Sequence, residues 1–128
     1  MTIKDRPSAV SDLLRTMLFS PANHARRVEK ALTLPTDAVI LDLEDAVAPE
    51  AKDEARAAAV AAVREGGFGN REVAIRANGI DTPWGAADLA AIAGSGADAV
   101  LVPKVSSPAD IAHCHAALAA APARLQLW

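Results

Sequence analysis

The chain has 128 residues, 52% of them hydrophobic and 3% aromatic, with one cysteine and a net charge of -3. That size and composition allow one folded domain and exclude a disordered chain, while the lack of a basic run or of stacking rings excludes a nucleic-acid binder. No stretch approaches the roughly 18 consecutive apolar residues of a membrane span, the start Met1-Thr2-Ile3-Lys4-Asp5-Arg6 lacks a signal peptide's apolar core, and the lone Cys114 suits a reducing compartment, so a cytoplasmic location is expected.

Residues 1–14 are polar and mixed and read as a tail or short lead-in helix, leaving 15–128 as the domain. Thr16-Met17-Leu18-Phe19 is a compact apolar run, a first strand closed by Ser20-Pro21-Ala22-Asn23. Asn23 suits an N-cap for a helix over 24–32, where Val28, Ala31 and Leu32 recur at helical spacing and Pro35 marks the stop. Val39-Ile40-Leu41 then has the continuous apolar character of a strand buried on both faces. Residues 50–65 predict a long helix: Ala55, Ala59, Ala62 and Val63 form its apolar stripe, its first turn is acidic, and Gly66-Gly67 ends it. A third strand covers 72–76, a helix 86–93, and a fourth strand 99–102. Ser107-Pro108 matches an N-cap followed by an N1 proline for a helix to about 120, and 124–128 begins a fifth strand.

Strand and helix alternate four times and one more strand follows, which calls for a parallel sheet with right-handed crossovers. A five-stranded doubly wound sheet and the first half of an eight-fold barrel of about 250 residues both fit. No helix follows to cover the last strand, so the expected fold is the amino-terminal half of a (β/α)8 TIM barrel, with about five parallel strands and four helices.

In either architecture ligands bind at the carboxyl ends of the strands. Those ends carry Ser20 and Pro21, then Asp42, Glu44 and Asp45, then Arg76 and Asn78, then Lys104. Carboxylates are costly to bury unless paired, so this clustering of two cations and three acids marks a polar site or a ring of ion pairs. Arg76 suits a carboxylate or an enolate oxygen through its fork of donors, and Lys104 acts as a point charge. Asp37, Glu29, Lys30 and the charges of the long helix read as a solvated face.

Other motifs carry less. His113-Cys114-His115 has metal-binding residue types, but neighbours on a helix point in different directions. Gly94-Ser95-Gly96 precedes a strand instead of following one, so it is no phosphate loop. Ser20 has no histidine partner for a nucleophile arrangement, and His24 reads as a helix-start residue.

Four motifs occur in a familiar order: Leu18-Phe19-Ser20-Pro21-Ala22-Asn23; Asp42-Leu43-Glu44-Asp45-Ala46-Val47 with Lys52 and Ala55-Arg56 after it; Ile75-Arg76-Ala77-Asn78-Gly79; and Val102-Pro103-Lys104-Val105. Together they resemble the citrate lyase beta subunit and its CoA ester lyase relatives, within the HpcH/HpaI aldolase superfamily of (β/α)8 barrels. The resemblance implies a Mg2+-dependent carbon-carbon lyase that cleaves a 3-hydroxyacyl thioester, such as citryl, malyl or citramalyl, on CoA or acyl-carrier protein. The products it implies are an acetyl-type thioester and a 2-oxo acid, and it implies a homo-oligomer.

By the same resemblance Arg76 matches the arginine that contacts substrate and stabilises the enolate-like oxygen. Glu44 and Asp45 match an acidic pair near the metal's water shell, and Lys104 a lysine on the same rim. Ser20, Pro21 and Asn78 match substrate-binding positions. The direct metal ligands, a glutamate and an aspartate after strands five and six, are implied beyond Trp128, so the chain is expected to be an amino-terminal portion, inactive alone. Two alternatives differ in class: a receiver-like module with Asp42 or Asp45 as phosphoacceptor and Lys104 as partner, and a half-barrel module that depends on a partner chain.

Overall fold

A computed structural model describes residues 14–128. The lead-in expected over 1–14 lies outside the described residues except at Leu14. The elements run β1 (Met17–Pro21), α1 (Ala25–Ala31), β2 (Ala38–Asp42), a 3-10 turn (Pro49–Ala51), α2 (Lys52–Glu65), β3 (Glu72–Arg76), α3 (Gly85–Ala93), β4 (Ala99–Leu101), α4 (Pro108–Ala117) and β5 (Gln126–Leu127). All five strands are parallel, in the spatial order β1-β2-β3-β4-β5.

That order decides between the two architectures. A doubly wound sheet reverses direction part-way, as in the orders 3-2-1-4-5 or 2-1-3-4-5. Here every crossover lands on the next strand, and crossovers of one hand then place every helix on the same face, as in a barrel wall. The receiver-like alternative, which needs the order 2-1-3-4-5, is excluded by the same observation.

The two faces of the sheet are built differently. Val39 and Leu41 of β2, Val73 and Ile75 of β3 and Val100 of β4 pack with Val28, Ala59, Val63, Leu89, Ile92 and Cys114 from the helices in one core. The alternate residues Ile40, Ala74 and Ala99 form a separate small cluster with Leu101 and Trp128 on the other face. Small side chains in the middle of that inner face leave its rim to longer, polar ones. Both faces of β2 are buried, which is why its run reads as continuous and not alternating.

Several boundaries shift for local reasons. His24, not Asn23, occupies the N-cap of α1 and makes no side-chain capping bond; Asn23 Oδ1 is buried without a partner among the described residues. The long helix opens with the 3-10 turn and ends at Gly66, whose φ of 81° is open to glycine at little cost. Ser107 caps α4 as expected, with Asp110 completing a capping box, but the helix stops at Ala117. Asp37 is not simply solvated: its Oδ2 accepts bonds from the backbone N–H groups of Arg15 and Thr16 at 2.8 and 3.0 Å, tying the start of β1 to β2.

Beyond the strands the ladder continues in one staggered row. Ala22 N–H donates to Asp42 O, Leu43 to Arg76 O, Ala77 to Leu101 O and Val102 to Trp128 O, at 3.0 to 3.1 Å. Each loop is thereby fastened to the end of the next strand, so residues 42–44, 76–78 and 102–104 share one rim.

Candidate active site

Register builds the centre of this rim. Asp42 and Arg76 are direct partners across β2 and β3 and lie on the inner face with Ile40 and Ala74. Asp42 is 1% exposed, and its oxygens accept four N–H groups. Oδ1 receives Arg76 Nε at 2.7 Å and Glu44 N at 2.9 Å. Oδ2 receives Arg76 Nη2 at 2.8 Å and Ala46 N at 3.0 Å. Burial pushes this carboxyl up, but the Arg76 guanidinium and the two amides outweigh it and hold Asp42 below its ordinary pKa. Arg76 is raised in turn, chiefly by its bond to Asp42.

An arginine carries five N–H donors and Asp42 takes two, so the plane is fixed while three donors stay available. The ring of Phe19, on β1, lies 4.8 Å from the guanidinium carbon, a cation-π contact that also steadies the plane. Glu44 approaches Arg76 Nη1 at 3.4 Å and Lys104 Nζ at 3.7 Å, so it stands between the two cations. Lys104 is mostly exposed and adopts a φ of 58°, a left-handed conformation uncommon for a side chain other than glycine or asparagine.

Behind the rim lie groups with no solvent of their own. Lys52 is 6% exposed, and its ammonium donates to the carbonyls of Leu43 and Glu44 at 3.0 and 2.7 Å, with the Trp84 ring 5.3 Å away. It thus closes the β2 loop around Glu44. Asp88, in the first turn of α3, is fully buried and accepts from Asn78 N, Asn78 Nδ2 and Arg56 Nε at 2.7 to 2.8 Å.

Of the sequence-predicted site residues, Arg76, Glu44 and Lys104 come together. Asp45 is exposed beside them and contributes to the field on Arg76. Pro21 pairs with Asp42 in register. Asn78 is buried at the end of β3 and engaged with Asp88. Ser20 is not brought to Arg76: it shares a register row with Leu41, Ile75 and Val100, on the helix side, where its Oγ is buried without a partner among the described residues. A cleft of about 310 Å3 there is lined by Phe19, Ser20, Pro21, Arg26, Arg27 and Lys30. Cys114 is buried while His113 and His115 are exposed, which removes that triplet as a metal cluster.

Three contributors escaped the sequence reading of the site: Asp42 as the clamp on Arg76, Lys52 as the clamp on the β2 loop, and Asp88. A long-range pairing signal exists only for the first, as equal offsets from the starts of two strands. Among the described residues no group of three or more His, Cys, Asp or Glu side chains is placed to hold a metal ion. With Asp42 and Glu44 engaged by cations, the set does not fit direct coordination of a magnesium ion.

Residues 15–126 match the family model described as HpcH/HpaI aldolase/citrate lyase. The chain belongs to that family. It is 46% identical over 114 residues to the (3S)-malyl-CoA thioesterase of Cereibacter sphaeroides, covering 89% of this chain and 39% of that protein. It is 34% identical over 114 residues to the L-malyl-CoA/beta-methylmalyl-CoA lyase of Rhodobacter capsulatus, covering 87% of this chain and 36% of the relative. Among solved structures, the Mycobacterium tuberculosis citrate lyase beta subunit complexed with oxaloacetate and magnesium matches with a TM-score of 0.62 and 36% identity, over 76% of this chain and 41% of that one. The chain therefore spans well under half the length of the relatives it matches, and its five-stranded arc is the amino-terminal part of the family's (β/α)8 barrel.

Proposed function

We propose that this chain supplies the arginine-centred rim of a carbon-carbon lyase acting on a 3-hydroxyacyl thioester of CoA. The observation that carries this reading is the Arg76 guanidinium, held flat by Asp42 and Phe19 at the carboxyl end of β3, with three donors outside the Asp42 pair and only Nη1 facing Glu44. In the reaction the hydroxyl of the substrate loses its proton and the bond between its C2 and C3 breaks. The hydroxyl carbon becomes the carbonyl of a 2-oxo acid, and the electron pair passes to the thioester as an enolate that is then protonated on carbon. A fixed guanidinium stabilises the oxygen that gains charge in that step, and its geometry needs no reorganisation. Lys104 adds a second positive charge, and Glu44 keeps both cations in place.

Magnesium accompanies oxaloacetate in the M. tuberculosis neighbour. In this reading Glu44 and Asp45 would meet such an ion only through its waters, and its direct ligands are not among the described residues. The cleft with Arg26, Arg27 and Lys30 suits the phosphates of a CoA carrier, since it gathers three cations in a chain of net negative charge.

A second reading has support of its own: the C. sphaeroides relative is a thioesterase, and hydrolysis of a thioester also develops negative charge on an oxygen that a guanidinium could hold. The products separate the two. Malyl-CoA and Mg2+ are supplied to the chain together with the carboxy-terminal remainder of the R. capsulatus relative, added as a separate polypeptide. A 2-oxo acid without free thiol supports the lyase, and free thiol without oxo acid supports the hydrolase. If the two pieces associate and neither product forms, both readings fail. The chain alone is expected to give no turnover.

A further inference from the structure

Asp88 is a carboxylate without surface, and the reaction described above gives it no task. Its Oδ2 accepts from the backbone N and the Nδ2 of Asn78 at 2.8 and 2.7 Å, and its Oδ1 accepts from Arg56 Nε at 2.7 Å. Arg56, on α2, balances the charge and leaves the carboxylate fixed between two helices.

The consequence falls on Asn78. Turning its amide oxygen toward Asp88 would set two acceptors face to face, so Nδ2 is locked inward and Oδ1 faces away. No described residue donates to that oxygen. The loop cannot relax to change this: Gly79 O accepts from the N–H and the hydroxyl of Thr82, and Gly85 packs so close that a Cβ there would sit 2.3 Å from the same carbonyl.

We propose that Asp88 is a positioning residue that fixes Asn78 as a hydrogen-bond acceptor at the strand-end rim, selecting a ligand hydroxyl over a carbonyl on the same carbon. The inference rests on the lyase reading and deepens it. In carbon-carbon cleavage the substrate hydroxyl becomes the product carbonyl, so a fixed acceptor holds the substrate and repels the oxo acid. Asp88 thereby favours release of product.

The test compares malate with oxaloacetate, which differ only in hydroxyl against carbonyl, by calorimetric titration in Mg2+ of the chain assembled with the carboxy-terminal remainder of the R. capsulatus relative. The wild-type chain is expected to bind malate more tightly, and a preference for oxaloacetate overturns the proposal without any variant. In Asp88→Asn one acceptor atom is left for three donors, and Asn78 satisfies the new amide by turning over and presenting Nδ2 to the ligand. The malate-to-oxaloacetate affinity ratio then falls about tenfold, the worth of one hydrogen bond. A purely structural role weakens both acids together and leaves the ratio unchanged, which overturns the proposal.

Asn78→Ala removes the acceptor directly and must lower the ratio as well, whether or not Asp88→Asn folds. Two failures are distinguishable. If wild type binds neither acid, the lyase reading falls and takes this inference with it; if both bind through Arg76 with a ratio indifferent to Asn78, only this inference falls.

Discussion

Replacing Asp42 by Asn removes little volume and much bonding. The carboxylate accepts two donors on each oxygen, one from Arg76 and one from the backbone. An amide has a single acceptor oxygen, so in either orientation its NH2 meets one arginine N–H and one backbone N–H. Each buried donor left unsatisfied costs about 1–3 kcal/mol, and breaking a buried ion pair costs about 3–5 kcal/mol in all. Arg76 keeps 19% of its side chain exposed, which relieves part of its stranded charge and places the expected loss near 3 kcal/mol. With a urea slope of about 1–3 kcal/mol per molar, the unfolding midpoint followed by far-UV circular dichroism falls by roughly 1–3 M.

The pH dependence has a definite sign. Asp42 has a depressed pKa in the fold, so its stabilisation is complete above the unfolded value near 4 and is lost as pH falls through the lower folded value. Wild type and variant should therefore converge in stability below pH 4. A loss under about 1 kcal/mol at pH 7, or a gap that does not shrink as the pH is lowered from 4, would refute the clamp on Arg76.

Three further outcomes follow from local geometry. Gly85→Ala places a Cβ 2.3 Å from the Gly79 carbonyl oxygen and is expected to cost on the order of 1–3 kcal/mol in urea unfolding; an unchanged midpoint contradicts that packing. Ser107→Ala removes the bond from Asp110 N to Ser107 Oγ and should lower stability by about 0.5–2 kcal/mol in thermal melts, with no effect on oxo-acid binding. Cys114 is fully buried, and burial pushes its thiol up, so a disulfide reagent at pH 8 should label it only as fast as the chain opens. Labelling as fast as a free thiol would show that α4 does not cover it.

Much of the fold was readable because its signals are local. Val39-Ile40-Leu41 is apolar on both sides of the strand, Gly66 stops α2 where a positive φ is needed, and Ser107-Pro108 opens α4 with the bonds its residue types suggest. Misplaced ends have local causes too. Asn23 looks like a cap, yet its oxygen is buried in the turn after β1, so His24 takes the position. Alanines 119–121 favour a helix by propensity, but they have little apolar surface to bury and α4 ends before them.

The site was legible as a set of strand-end residues and illegible as a network. Arg76 and Asp42 are 34 residues apart, and only the register of β2 on β3 makes them partners. Lys52 reads as one of the solvated charges of the long helix, and nothing in the sequence singles out Asp88; their burial is decided by which helix face meets the loops, a tertiary fact. Ser20 was legible as a strand-end residue but not in its direction: one residue of alternation along β1 sends its hydroxyl to the helix side of the sheet, away from Arg76.

The most direct test of the arginine-centred rim is the affinity for oxaloacetate in Mg2+ of the chain assembled with the carboxy-terminal remainder of the R. capsulatus relative, measured by calorimetry for wild type and Arg76→Met. Methionine keeps an apolar contact with Phe19 and removes the donors. Loss of the Arg76 donors should lower the affinity at least tenfold, equivalent to about 1.4 kcal/mol or more. Equal affinity for a variant shown to be folded would mean that the ligand does not use Arg76, and the arginine-centred rim would then be only a structural ion-pair network.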